Sequence, residues 1–247
     1  MTKAQIKFFQ ALSRQKYRKE YNAYLVEGYK NAKEWLQADC RISHIAASAT
    51  WIADNRALIA AHPEATLIAA EDFELEKISA LQTAQEVVLV VESPAQDTIL
   101  PATGAWSLLL EKVQDPGNMG TIIRTADWFG ISTIICSPDC VEVYNPKVVQ
   151  ATMGSLLRVR ILEMELQDFL AQNQAPLYAA CLSGEDIRNV QQPEPGIIAM
   201  GNESRGLSAG LLEAASHKIT IPSRGRAESL NVSVATGIIC AALTLQS

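Results

Sequence analysis

The chain has 247 residues, 48% of them hydrophobic and 19% charged, with a net charge of −6. That is room for one large or two small domains and enough apolar residue to bury a core, which excludes a disordered chain. No run of eighteen apolar residues predicts a membrane span, and the first ten residues lack the apolar stretch and cleavage site of a secretory signal. The five cysteines, Cys40, Cys136, Cys140, Cys181 and Cys240, are odd in number and form no CxxC. They read as reduced thiols of a cytoplasmic protein, with no metal site expected, since no histidine stands near Cys136 and Cys140 in sequence.

In chain order, residues 4–12 read as a basic helix, 23–26 as a short strand and 29–38 as a helix. Strands are expected at 42–47, 67–70 and 87–91, with helices at 50–61 and 72–81 between them. This alternation predicts a small α/β sandwich. The stretch 93–105 holds Pro94, Pro101 and Gly104 and reads as a linker, with a domain boundary near residue 98. Strands follow at 107–113, 133–136, 177–181, 197–200 and 218–221. Helices are expected at 119–129, 147–157, 166–172, 207–215 and 230–245. Strands alternating with helices predict a mainly parallel sheet covered on both faces.

Charge is unevenly placed. Residues 1–33 carry Lys3, Lys7, Arg14, Lys16, Arg18, Lys19, Lys30 and Lys33 against Glu20 and Glu27, a local +6 that leaves −12 on the remainder. A basic arm on an acidic body fits phosphate contact at one end, and it equally fits a solvated helix face.

Three clusters lie where expected strands end, the place where open α/β sheets bind ligands. The first is Asp115-Pro116-Gly117-Asn118-Met119-Gly120-Thr121, followed by Arg124; Asp115 or Asn118 can cap the helix it opens. A cation and an amide near a helix start suit an anionic or hydroxyl-rich ligand. The second is Gly201-Asn202-Glu203-Ser204-Arg205-Gly206-Leu207, which reads equally as a binding loop or a plain βα turn. The third runs from Ile221-Pro222 through a polar loop with Arg224 and Arg226 to Ser229-Leu230-Asn231-Val232-Ser233, with Ser229 as the expected helix cap. No GxxxxGK[ST], GxGxxG or GxSxG occurs, which argues against a nucleotide-using enzyme and a serine hydrolase. His44, His62 and His217 lie outside all three clusters.

Together the clusters resemble the signature motifs of the SpoU-type (TrmH-like) RNA ribose 2′-O-methyltransferases of the SPOUT superfamily. The matches are Asn118-Met119-Gly120 with Arg124, then Gly201 through Leu207, then Ile221-Pro222 with Ser229 through Ser233. Met153-Gly154-Ser155-Leu156 is a weaker match between them. Leu25-Val26-Glu27-Gly28, preceded by Lys16–Lys19, looks like the start of the L30e-like substrate-binding domain found in many such enzymes. Ser204 stands where the family more often has glycine; at a positive-φ position a serine would cost on the order of 1 kcal/mol.

The resemblance implies an L30e-like domain over 1–98 and a methyltransferase domain over 99–247 whose parallel sheet threads a trefoil knot. It implies S-adenosylmethionine as cofactor, held by Met200, Gly201, Ile221 and Leu230. Asn118, Arg124, Glu203, Ser229 and Asn231 are the implied catalytic residues. Arg124 would stabilise the ribose oxyanion, since an arginine stays protonated, and Asn118 would orient the ribose. It also implies a homodimer acting on structured RNA, with ribosomal RNA favoured over transfer RNA. The alternatives are a tRNA ribose 2′-O-methyltransferase and a catalytically silent RNA-binding protein of the same fold.

Overall fold

The computed structural model describes residues 1–81, 83–95, 99–100, 103–202 and 204–245. The chain divides into two compact units: Met1–Ala95 with Glu142–Leu157, and Gln96–Val141 with Arg158–Ser247.

The first unit runs α1 (Lys3–Ala11), α2 (Gln15–Tyr21), β1 (Ala23–Glu27), α3 (Tyr29–Gln37), β2 (Ile42–Ala47), α4 (Ala49–Asp54), α5 (Arg56–Ala60), β3 (Thr66–Ala69), α6 (Asp72–Ile78) and β4 (Val87–Glu92). The sheet order is β1-β4-β2-β3, with β4 antiparallel to both neighbours and β2 parallel to β3. Alternation along the strands feeds two cores. Tyr24, Val26, Leu89 and Val91 pack with Trp35 and Trp51 on one face, and Leu25, Val88 and Val90 pack with Phe9, Leu75 and Ile78 on the other.

Two helical expectations needed revision here. The helix read over 50–61 is broken at Asn55, whose Nδ2 donates to Trp51 O at 2.8 Å, so a side chain competing for the backbone splits it into α4 and α5. Helix α2 was not foreseen, because its apolar signal is only Tyr17 and Tyr21. It is held by Arg18, which is buried, donates to Leu12 O at 2.8 Å and clasps the Glu142 carboxylate. One charge of the basic arm is therefore spent inside the unit, while the other seven are exposed.

The rest of the chain forms β5 (Ser107–Leu110), α7 (Pro116–Trp128), β6 (Thr133–Cys136), α8 (Pro146–Thr152), β7 (Arg160–Glu163), α9 (Leu166–Gln172), β8 (Leu177–Asp186), β9 (Ile197–Met200), α10 (Ala209–Ala214), β10 (His217–Thr220) and α11 (Val232–Thr244). Helix α8 belongs to the first unit, where it packs on β1. It is shorter than the helix read over 147–157, because Met153 and Gly154 take φ of 51° and 92° and end it. The second unit's sheet is wholly parallel, in the order β10-β8-β9-β5-β6-β7. Strand β7 was not foreseen; it is an edge strand with only Leu162 buried.

Strands β5, β6 and β7 progress outward in one direction, while β9 returns to lie on the other side of β5. The chain thus reverses direction between β5 and β9, and the crevice at their carboxyl ends is where such a sheet binds ligands. Both strands are fully buried, so that crevice stands on a rigid floor. Among the described residues no helix is long and apolar enough to cross a membrane.

Candidate active site

The first motif begins where β5 leaves the sheet. Glu111 is buried, and its Oε2 accepts from Ser208 N at 2.7 Å. Lys112 then takes a φ of 57°, a left-handed turn that costs a non-glycine residue energy and must be held by its surroundings. Ser137 Oγ accepts its N–H at 3.0 Å, and Asn202 Nδ2 donates to its carbonyl at 3.0 Å. Asp115 is the residue that caps α7, accepting from Asn118 N at 2.8 Å, with Pro116 in the first turn where its missing N–H costs nothing. Arg124 lies further along α7, exposed, and its guanidinium has no hydrogen-bond or ion-pair partner among the described residues.

In the second loop Asn202 is the organiser. Its Oδ1 accepts from Ser204 N at 2.9 Å and Arg205 N at 3.3 Å, and its carbonyl accepts from Gly206 N at 2.8 Å. Gly206 carries the positive φ, 66°, and Ser204 does not. The serine in place of glycine therefore imposes no left-handed strain. Gly201 has no room for a side chain, since a Cβ there would lie 2.3 Å from the Gly206 carbonyl carbon. Glu203 lies outside the described residues.

The third loop leads to α11, and the cap of that helix is Asn231 rather than Ser229. Asn231 Oδ1 accepts from Ser233 N at 2.9 Å and Val234 N at 3.3 Å. Its Nδ2 donates to Asn118 Oδ1 at 2.9 Å, so the third motif is bonded directly to the first. Ser229 is exposed on the loop two residues earlier.

The second and third loops wall a cavity of about 730 Å³. Met200, Gly201, Ile221, Leu230 and Ser229 line it, as does the β8 segment Ala180–Ser183. Asn118, Arg124 and Asn231 are not part of its lining. The volume is that of a small-molecule site, and the apolar floor (Met200, Ile219, Val232 and Ile239 are nearly fully buried) suits a ligand with apolar and aromatic parts. With Gly201 backbone in its wall, this lining fits S-adenosylmethionine. The Arg188 guanidinium clasps Asp186 at the end of β8 and holds its carboxyl down at about 2, with Arg224 adding to the effect.

The sequence reading gave Asn202 no role of its own and passed over Glu111 and the β8 segment. A glutamate inside the apolar run Ser107–Val113 was a signal for the second. The third gave none, because β8 loses its apolar pattern after Cys181 and its pairing with β10 shifts between Lys218 and Ile219. The histidines lie elsewhere; His62, for one, is buried with its Nε2 2.9 Å from Leu36 O.

Residues 105–241 match the family model of the SpoU rRNA methylase family, and residues 3–89 match that of the MRM3-like substrate binding domain. The chain is 28% identical over 241 residues to the 23S rRNA (guanosine(2553)-2′-O)-methyltransferase RlmP of Bacillus subtilis, covering 95% of this chain and 93% of that protein. A structure from Porphyromonas gingivalis, described as an RNA methyltransferase of the TrmH family, superposes with a TM-score of 0.87 at 35% identity over 100% of this chain and 99% of that one. An AdoMet-bound rRNA methyltransferase from Sinorhizobium meliloti superposes with a TM-score of 0.87 at 31% identity over 98% of this chain and 94% of that one. With more than half its residues matched by the family model, the chain belongs to the SpoU rRNA methylase family.

Proposed function

We propose that this chain is an S-adenosylmethionine-dependent methyltransferase acting on a ribose 2′-hydroxyl of structured RNA, with ribosomal RNA the favoured substrate. The observation that carries this reading is the joining of all three motif loops at the carboxyl end of one sheet, through Asn231 to Asn118 and Asn202 to Lys112, beside a cavity of cofactor size. The family assignment and the RNA ribose methylation named for RlmP support it.

Met200, Gly201, Ile221 and Leu230 would hold the cofactor, which supplies an electrophilic methyl group when bound. The remaining task belongs to the chain, because a ribose hydroxyl is a very weak acid and its oxygen must be stabilised as it loses its proton. Arg124, unpartnered among the described residues, would do this as a fixed positive charge. Asn118, oriented by Asn231, would position the ribose, and Glu203 and Ser229 would complete the site. The loops of the second and third motifs would be the part of the chain that threads the trefoil knot. The basic face of residues 1–33 would capture RNA phosphates.

The active species would be a homodimer in the cytoplasm. Trp128 at the end of α7 is 85% exposed, and Val234 and Ile238 on the neighbouring α11 are 51% and 40% exposed. An apolar face of that kind marks an interaction surface. Calorimetry with S-adenosylmethionine tests the cofactor reading: saturable binding is expected, and its absence from the folded protein would defeat the proposal.

A further inference from the structure

The turn after β6 brings two thiols to one point of the backbone. Cys136 ends β6 and lies beside Leu110 of β5 in the sheet, where neighbouring strands run about 4.8 Å apart. The chain then folds back: Ser137 N donates to Leu110 O at 2.9 Å, and Cys140 N donates to Ser137 O at 3.0 Å. The Cys140 thiol donates to the same Leu110 carbonyl at 3.3 Å. Both cysteines therefore have Leu110 as a neighbour.

Their surroundings differ. Cys136 is 4% exposed, while Cys140 is only partly buried. The Ser137 hydroxyl lies 3.7 Å from Cys140 Sγ. The neighbouring Cys136 thiol, with Ser137 and the Val113 and Lys112 amides, outweighs burial and brings the Cys140 thiol down to about 7, whereas Cys136 is pushed up. The thiolate is the attacking form in disulfide exchange, and a thiol titrating near ambient pH attacks fastest.

We propose that Cys136 and Cys140 form a thiol modification site, in which Cys140 reacts with a low-molecular-weight disulfide and Cys136 closes the adduct to an intramolecular disulfide. In the first step the Cys140 thiolate attacks one sulfur of the small disulfide, forming a mixed disulfide and releasing one thiolate. That thiolate accepts the Cys136 proton, and the Cys136 sulfur then attacks Cys140 Sγ and releases the second small thiol. Two protein thiols are oxidised to one disulfide while one small disulfide is reduced to two thiols. The site adjoins the strained Lys112 turn that leads into α7, so its redox state bears on the first motif. That consequence rests on the proposed function; the exchange chemistry does not.

Residues 125–147 form a single tryptic peptide containing both cysteines. After the full-length protein is treated with glutathione disulfide near neutral pH, that peptide should become lighter by two hydrogens before Cys40, Cys181 or Cys240 reacts. Dithiothreitol should reverse the change. Cys136→Ser should stop at a glutathione adduct on Cys140, and Cys140→Ser should give neither product. An unmodified peptide, a lasting adduct in the unaltered protein, or faster reaction at another cysteine would overturn the proposal.

Discussion

The amide of Asn231 donates to Asn118 Oδ1 across 2.9 Å while its own Oδ1 caps α11. One side chain thus serves a helix end and joins two motifs. The two duties separate by substitution. Asn231→Ala loses both and should cost about 1 kcal/mol of stability, the usual worth of a cap, along with at least tenfold in turnover. Asn231→Asp keeps the acceptor and adds a charge favourable at a helix start, so thermal stability should hold while turnover still falls. Thermal melts and single-turnover methyl transfer on both variants check this; equal stability losses would mean the cap is not the source.

Arg124 is exposed and unpartnered among the described residues, so its removal should leave the fold intact. Arg124→Ala is expected to lower kcat by about 10²- to 10³-fold, the typical loss of a transition-state stabiliser, with S-adenosylmethionine affinity changed only a few-fold. Parallel losses of binding and turnover would reassign it to the cofactor.

Gly201 abuts the Gly206 carbonyl with no space for a methyl. Gly201→Ala must push the second loop outward, and S-adenosylmethionine affinity should drop at least tenfold by calorimetry. Ser204→Gly, at a position without positive φ, should change affinity little.

Burial raises the Glu27 carboxyl above its ordinary 4.5, against the opposing hydrogen bonds from Ser79 and Ala80 N. A folded-state pKa above the unfolded one gives stability that is fully present below pH 4.5 and lost as pH rises through the folded value. The melting temperature of the unaltered protein relative to Glu27→Gln should therefore fall between pH 4.5 and neutrality. A flat difference would contradict the assignment.

Trp128→Glu and Ile238→Glu place charges on the exposed apolar face of α7 and α11. Each should shift sedimentation at micromolar concentration from dimer to monomer. An unaltered chain that sediments as an active monomer would remove the dimer from the account.

How far the sequence carries depended on the kind of signal. The buried strands β2, β6 and β9 were legible to the residue, because β-branched and apolar runs bounded by polar turns have one reading. The first motif was legible down to its cap, since Asp115 and Asn118 were the two possible caps and geometry chose Asp115. The shift of the α11 cap from Ser229 to Asn231 was not legible, because both residues are good caps and the choice rests on Asn118, 113 residues away. Likewise Glu142–Leu157 packs in the first unit through Arg18 and Glu142, a long-range pairing that local pattern does not encode. The roles of Asn202 and Ala180–Ser183 depend on which strands end side by side, a property of strand order that periodicity does not carry.

The central claim is the chemistry at the ribose. The most direct measurement is incubation of the protein with methyl-labelled S-adenosylmethionine and total RNA from cells lacking it, followed by digestion to nucleosides. The account predicts label in a 2′-O-methyl nucleoside, recovered from ribosomal RNA and abolished by Arg124→Ala. Label confined to a base-methylated nucleoside, or no label from a protein that binds the cofactor and the RNA, would contradict it.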